Sequence, residues 1–298
     1  MAITAAMVKE LREMTGAGMM DCKKALTEAN GDMDAAVEFL RKNGQAKAEK
    51  KASRIAAEGI CRIASKDDTT AAVVEVNSET DFVAKNEKFQ SFVESVAVQA
   101  VESGAADMDA FMAEPWHEDP SKTVKDALVE KIAVIGENLK IRRFEKVVAE
   151  HGCVVSYTHG GGRIGVLVEA DTDVVNDAIK EALVNVAMQV AALYPKYVST
   201  ADVSEEYKAH EKEILLAQIQ NDPKMAGKPE KVIEGAVMGR LNKELKEVCL
   251  LEQVYVKAED GKQTVGQYVA SVAKENGANL SIKKFVRFET GEGMEKKN

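Results

Sequence analysis

Apolar positions recur at helical spacing through residues 4–43. Ala5, Val8 and Leu11 share one helical face, and Thr4 stands where a capping hydroxyl belongs. Thr15-Gly16-Ala17-Gly18 breaks the pattern. Met19, Cys22, Leu26 and Ala29 form a second stripe, closed by Asn30-Gly31-Asp32. Gly31 suits a left-handed C-cap there, and Asp32 the next N-cap. Ala36, Val37 and Leu40 supply a third stripe, which Asn43-Gly44 is expected to stop. From Gly59 the period changes to two. Ile60, Arg62 and Ala64 alternate with Cys61, Ile63 and Ser65, and Ala71 to Val76 reads as the partner strand across a turn at Lys66-Asp67-Asp68. Phe89, Phe92, Val93, Val96, Ala97 and Ala100 mark a helix. A looser stretch holding Pro115 and Pro120 leads to a helix from Thr123 to Gly136, and Asn138 to Val148 reads as a strand.

A related order then recurs. Cys153 to Tyr157 and Ile164 to Glu169 predict a hairpin, and Val174 to Leu193 a helix. Ala72-Val73-Val74-Glu75-Val76 matches Val166-Leu167-Val168-Glu169-Ala170 in pattern, and Val96-Ala97-Val98-Gln99 matches Val186-Ala187-Met188-Gln189. We read an internal duplication of a hairpin-plus-helix unit, each with a half-buried antiparallel sheet, which makes an α+β core. Residues 203–248 interrupt the second unit. Tyr207, Glu211, Ile214, Leu215 and Gln218 lie on one stripe, and Ile233, Val237, Leu241 and Leu245 on another, with a polar turn between. That predicts a helical hairpin, or short antiparallel coiled coil, projecting from the core. A strand near Val248–Val256, a helix from Thr264 to Asn276 and a strand Leu280–Glu289 complete the unit.

The expected organisation is then a three-helix module resembling a ubiquitin-associated bundle at 1–44 and a linker at 45–58. An N-terminal core unit spans 59–150, and a C-terminal one spans 151–202 and 249–290. The inserted hairpin occupies 203–248, and a polar, frayed tail 291–298. The linker holds Lys47, Lys50, Lys51 and Arg54 and no large apolar residue before Ile55. It is expected to be helical in part, and reads as a solvated tether or as a basic contact strip, the tether being the simpler.

Composition narrows the function. With 298 residues, 30% charged and 45% hydrophobic, the chain is ordinary for a soluble globular protein. Its net charge of −9 argues against direct nucleic-acid binding, which usually shows a basic footprint. No apolar run approaches the roughly 18 residues of a membrane span. Met1-Ala2-Ile3-Thr4 lacks the basic-then-apolar form of a signal peptide, so a cytoplasmic setting is expected. Cys22, Cys61, Cys153 and Cys249 follow no metal-ligand spacing and read as reduced thiols.

Candidate chemistry is sparse. Gly160-x-Gly162-x-x-Gly165 fits a dinucleotide fingerprint by letter, but a strand follows it where a helix is needed to hold the pyrophosphate. His159-Gly160-Gly161-Gly162 therefore reads as a hairpin loop, with His159 as a contact residue. His117, His151, His159 and His210 are scattered, so no metal site is expected. No nucleophile sits in a Gly-x-Ser-x-Gly context, and neither a catalytic residue nor a cofactor is expected. Thr80-Asp81-Phe82-Val83-Ala84-Lys85 is the most informative stretch. Thr80 or Asp81 could cap the following helix while Phe82 and Val83 staple it to the core, the simpler reading. Alternatively the ring protrudes beside its carboxylate and serves as an aromatic anchor in a partner's pocket.

That stretch is similar to the intruding motif of the bacterial translation elongation factor Ts family. Thr15-Gly16-Ala17-Gly18-Met19-Met20-Asp21-Cys22-Lys23-Lys24-Ala25-Leu26 resembles the family's N-terminal signature. Ile135-Gly136-Glu137-Asn138, His159 with its glycines, Arg163-Ile164-Gly165-Val166-Leu167-Val168, Thr264-Val265-Gly266 and Val286-Arg287-Phe288-Glu289 are similar to further ones, in the family's order. The resemblance implies a guanine-nucleotide exchange factor that binds elongation factor Tu in its GDP form. Thr80, Asp81, Phe82 and Val83 would enter the partner's G domain and dislodge its Mg²⁺. Arg12, Met19, Met20 and Lys23 would dock on the same domain, with Ile135 and Gly136 beside the intrusion. His159 would face the partner's third domain. The hairpin resembles the coiled-coil insertion of longer bacterial forms, which implies self-association as a homodimer or a two-plus-two complex. In many family members a further helix follows the Gly-Glu-Gly stretch, and that contact is not carried over here. Two other readings stay open on the residues alone. One is a ubiquitin-like-binding scaffold resting on the first 44 residues, the other a dinucleotide-dependent enzyme resting on Gly160, Gly162 and Gly165.

Overall fold

The computed structural model describes residues 2–295, and the last part of the expected tail, 296–298, lies outside them. Three helices open the chain: α1 (Ala5–Thr15), α2 (Met19–Glu28) and α3 (Met33–Lys51). The Thr4 hydroxyl accepts from the Met7 N–H at the start of α1, and Asp32 caps α3. Leu11, Cys22, Leu26 and Ala36 fill the small core between the three. Two expectations fail here. Met19 faces solvent and does not join the second stripe; Ala25 is buried with Cys22 and Leu26 in its stead. Gly44 does not stop α3, which runs on to Lys51. A Cβ at Gly44 would make ordinary contacts, 3.7 Å from both Ala133 Cβ and Val129 Cγ1, so this position faces α7 and is not at a turn.

The N-terminal core unit holds β1 (Glu58–Ser65), β2 (Thr70–Ser78), α4 (Asp81–Ala84), α5 (Glu87–Glu102) and α6 (Met108–Ala113). A small hairpin, β3 (Pro115–Trp116) and β4 (Asp119–Thr123), then α7 (Val124–Ile135) and β5 (Lys140–Val148), complete it. The second unit has β6 (Gly152–His159), β7 (Ile164–Thr172), α8 (Asp177–Leu193), the helical hairpin α9 (Glu205–Gln220) and α10 (Glu230–Val248), α11 (Val265–Glu275) and β8 (Leu280–Glu289). Each main sheet is antiparallel and three-stranded, in the orders β1-β2-β5 and β6-β7-β8. The fold is α+β.

The duplication goes deeper than the sequence pattern. A bulge falls between Glu75 and Val76 against β5, and another between Glu169 and Ala170 against β8, at matched positions. Gln99 accepts from the His117 N–H and donates to the Pro115 carbonyl; Gln189 accepts from the Val256 N–H and donates to the Val254 carbonyl. Each buried glutamine thus ties its helix to a short extended segment. Reciprocal capping boxes at Thr123 and Thr264 then start α7 and α11. The strand expected near Val248–Val256 is such a segment. A 3-10 turn at Leu250–Glu252 and two isolated bridges, Tyr197 to Cys249 and Val254 to Thr264, replace it.

The sheets are not half-buried, as their pattern suggested. One face of each packs on its own helices: Val74 and Val76 against α5, Val166 and Val168 against α8. The other faces pack on each other through Cys61, Val73, Val154, Leu167, Val286 and Phe288. The layers therefore run helices, sheet, sheet, helices, and β2 is buried along its whole length. Glycines allow the approach. A Cβ at Gly165 would lie 3.0 Å from Val73 Cγ2, and one at Gly162 3.0 Å from the Cys61 carbonyl oxygen. The dinucleotide-like spacing is a packing motif, and His159 ends β6 with the turn following it.

In the inserted hairpin Leu215 and Ile219 of α9 face Val237, Leu241 and Leu245 of α10. Ile214 and Gln218, assigned to that stripe by spacing, face outward. The tail is tied down at its start: the Gly291 N–H donates to Glu75 and the Glu292 carbonyl accepts from Arg142. No helix among the described residues is long and apolar enough to cross a membrane.

Candidate functional site

The loop between β2 and α5 positions the stretch singled out by sequence. Thr80 caps α4, its hydroxyl accepting from the Val83 N–H at 3.3 Å. A four-residue helix has no stability of its own, so its direction is set by tertiary anchors. Val83 packs against the core and Ala84 lies within it. Phe82 points the other way and is 81% exposed. The staple is therefore Val83 with Ala84, and the reading that puts Phe82 in the core fails. Asp81, also exposed, holds Lys85 at 2.8 Å across one helical turn. That hydrogen bond keeps the Asp81 carboxyl below its ordinary range and raises the Lys85 ammonium above its own.

The end of α7 meets this loop. Gly136 takes the left-handed conformation (φ 87°) that ends the helix, its N–H donating to the Ile132 carbonyl. Ile135 packs on the core below. The turn aims Glu137 at the loop. One Glu137 oxygen accepts from the Glu79 N–H at 3.0 Å and the Thr80 N–H at 3.1 Å, and the other accepts the Thr80 hydroxyl at 2.7 Å. Glu79 replies, accepting the Asn138 N–H at 2.6 Å and pairing with Arg54 at 3.4 Å. The Asn138 amide donates to the Arg54 carbonyl at 2.8 Å. Thr80, Asp81, Phe82 and Val83 thus share one braced corner with Ile135 and Gly136.

The other expected contacts lie on separate elements. Met19 and Met20 are 59% and 74% exposed at the start of α2, and Arg12 and Lys23 are exposed nearby. This module leans on α7, with Arg41 3.8 Å from Glu130. His159 is exposed at the end of β6, its Nδ1 3.0 Å from the Tyr157 hydroxyl. The turn after it is seated on the N-terminal unit, where the Gly162 carbonyl accepts the Cys61 N–H at 2.6 Å. Glu79 was not singled out by sequence, Glu137 and Asn138 were noted only as part of a signature stretch, and Arg54 only among the cations of the linker. An acidic residue straight after a C-capping glycine was the available signal, but its target lies 58 positions away.

Among the described residues no group of three or more His, Cys, Asp or Glu could hold a metal ion. The four thiols are buried and unpaired, and burial pushes that of Cys61 up to about 12, far from a reactive thiolate.

The family model described as Elongation factor TS matches residues 79–292, from the first brace glutamate to the tied-down tail. A protein named elongation factor Ts from Clostridioides difficile (strain 630) is 53% identical over 296 residues, 99% of this chain and 95% of its own. One of the same name from Clostridium novyi (strain NT) is 50% identical with the same coverage. Another, from Trichlorobacter lovleyi, is 50% identical over 302 residues, 100% of this chain and 95% of its own. At that identity, over nearly the whole length of both partners, the chain belongs to the elongation factor Ts family of translation elongation factors.

Proposed function

We propose that the protein is a guanine-nucleotide exchange factor for elongation factor Tu, working in the cytoplasm by binding alone. The observation that supports this most is Phe82, a large ring held out in solvent on a braced corner. A ring so placed adds nothing to the free protein's core and is available as an anchor in a partner's pocket. Asp81 beside it brings a negative charge into the region of the partner's Mg²⁺. Entry of the pair displaces that ion, leaves phosphate charge uncompensated and speeds GDP loss, so that GTP can bind. Arg12, Met19, Met20 and Lys23 dock on the same domain, Ile135 and Gly136 line the intrusion, and His159 reaches the partner's third domain.

Linkage governs the energetics. The factor must bind nucleotide-free partner more tightly than nucleotide-bound partner, and it weakens nucleotide by the same factor by which nucleotide weakens it. No covalent step is needed, and both metal and nucleotide belong to the partner. Contact with nucleic acid or membrane has no part in this reading. The test is release of fluorescent GDP from elongation factor Tu with Mg²⁺ present. Strong acceleration by substoichiometric protein supports the proposal; no acceleration by folded protein refutes it.

The hairpin α9–α10 has a separate role in this reading, self-association as a homodimer or a two-plus-two complex. It leaves and rejoins the second unit at one place, where the Lys196 and Tyr197 N–H groups both donate to the Val248 carbonyl. Deleting 204–247 is expected to leave GDP release largely intact while shifting the sedimentation of the protein or its complex. Loss of exchange with the core still folded would assign the hairpin to the exchange surface instead.

A further inference from the structure

Resting on that reading, we propose that Glu137 is the positioning residue for exchange: its carboxylate aims the Asp81–Phe82 helix. Three donors converge on it, the N–H groups of Glu79 and Thr80 at 3.0 and 3.1 Å and the Thr80 hydroxyl at 2.7 Å. Charge-assisted bonds of this kind are about twice as strong as neutral ones. They seize the chain immediately before Asp81, the point at which the helix direction is set. The Thr80 hydroxyl works both ways, donating to Glu137 and accepting from the Val83 N–H. Its rotamer, and with it the cap of α4, is fixed from across the gap.

The brace is reciprocal, and reciprocity makes it stiff. Glu137 takes donors from the Phe82 loop, while Glu79 of that loop takes the Asn138 N–H at 2.6 Å from the α7 turn. Arg54 lies against Glu79 at 3.4 Å, so the two carboxylates are not left facing each other without a cation. Behind the turn stands α7, held through Ile132 and Leu128 in the core. Force on the ring is thereby passed to a packed helix. Without the brace, α4 keeps its anchors at Val83 and Ala84 but can swing about them. Misplacement of a functional group by about 1 Å can cost as much as a hundredfold in rate.

Among the described residues the Glu137 carboxylate hydrogen-bonds only to Glu79 and Thr80, so it acts through Phe82 and Asp81. This sets the experiment. Maximal GDP-release rates and half-saturating concentrations are measured for the full chain, for Phe82→Ala, for Glu137→Ala and Glu137→Gln, and for the double variant Phe82→Ala with Glu137→Ala. Melting curves accompany each. Glu137→Ala is expected to lower the maximal rate about tenfold, with little change in half-saturation, because docking through α1–α2 and the β6–β7 turn is untouched. Glu137→Gln retains an oxygen for the two N–H groups and an amide that can donate to the Thr80 hydroxyl, so it recovers most of the rate. The double variant is expected to be no slower than Phe82→Ala alone.

A full rate for folded Glu137→Ala, when Phe82→Ala is slow, overturns the inference and leaves the exchange reading standing. So does a double variant whose losses multiply, since two independent effects are then at work. If Glu137→Ala does not fold, Thr80→Val, which deletes only the hydroxyl bonds, must itself slow release or the inference falls. Absence of acceleration by the unaltered chain would sink the exchange reading first, and this one with it.

Discussion

Phe82→Ala is expected to slow GDP release about a hundredfold while the free protein stays folded. A hundredfold is about 2.7 kcal/mol of activation free energy, within the range of aromatic anchors at interfaces. In the free chain the ring is 81% exposed, so its removal forfeits almost no packing. Alanine is also the better helix former of the two, so α4 is not weakened. Surface substitutions of this kind shift stability by about 0.5 kcal/mol or less. The measurement pairs stopped-flow release of labelled GDP with a melting curve and a pull-down of nucleotide-free partner. Slow release with unchanged melting and retained capture is the signature of a wedge that acts only in the complex. A melting point lowered as for a lost core aromatic, about 3–5 kcal/mol, with capture lost as well, would return Phe82 to the role of a core staple.

The sequence spoke clearly wherever a local rule was sufficient. Thr123 and Gly136 bracket α7, and Thr264 and Asn276 bracket α11, because caps act within one turn of the chain. The first hairpin was legible where the period changes to two, the second from its likeness to the first, and the fold class followed. Readings failed where the partner lay far along the chain. Gly44 has the local look of a helix stop, yet it lies within α3 where that helix faces Ala133 and Val129 of α7. A short extended run at 248–256 is apolar enough for a strand, but no neighbouring strand is there to pair it. Its N–H groups turn to Gln189 and to isolated bridges. The candidate site shows the same division. The cap at Thr80 was readable, but the side to which Phe82 points was not, since a capped junction looks alike with the ring inward or outward. Only Val83 and Ala84, already filling the space against the core, decide it.

The duplicated core also has a point where its two halves differ, and Glu75→Ala tests it with the largest expected loss of stability. Glu75 and Glu169 are matched residues beside matched bulges, both buried and both on the side where the sheets meet. Glu169 has one cationic neighbour, Lys283 at 3.3 Å. Glu75 is fully enclosed and accepts from Arg142 at 3.1 and 3.2 Å, Arg143 at 2.6 Å, Asn77 at 3.0 Å and the Gly291 N–H at 2.8 Å. Arg142 goes on to the Glu292 carbonyl, and Arg143 to the Glu292 carboxylate and the face of Phe288. One carboxylate thus joins β2 and β5 of the first unit to the chain that follows β8 of the second. Removing it leaves two guanidinium groups partly buried without their shared anion, and breaking such a pair costs about 3–5 kcal/mol. Glu75→Ala is therefore expected to lower the melting temperature sharply and to loosen the segment after β8 first, seen as early hydrogen exchange at Gly291 and Glu292. Glu169→Ala, its counterpart, is expected to cost clearly less, because only one half-exposed lysine, Lys283, loses its partner. Equal losses at the two sites would mean that burial alone, not the arginine pair, makes Glu75 matter. A stable Glu75→Ala with the 289–292 segment still protected would show that the sheet-to-sheet apolar contact holds the halves together without it.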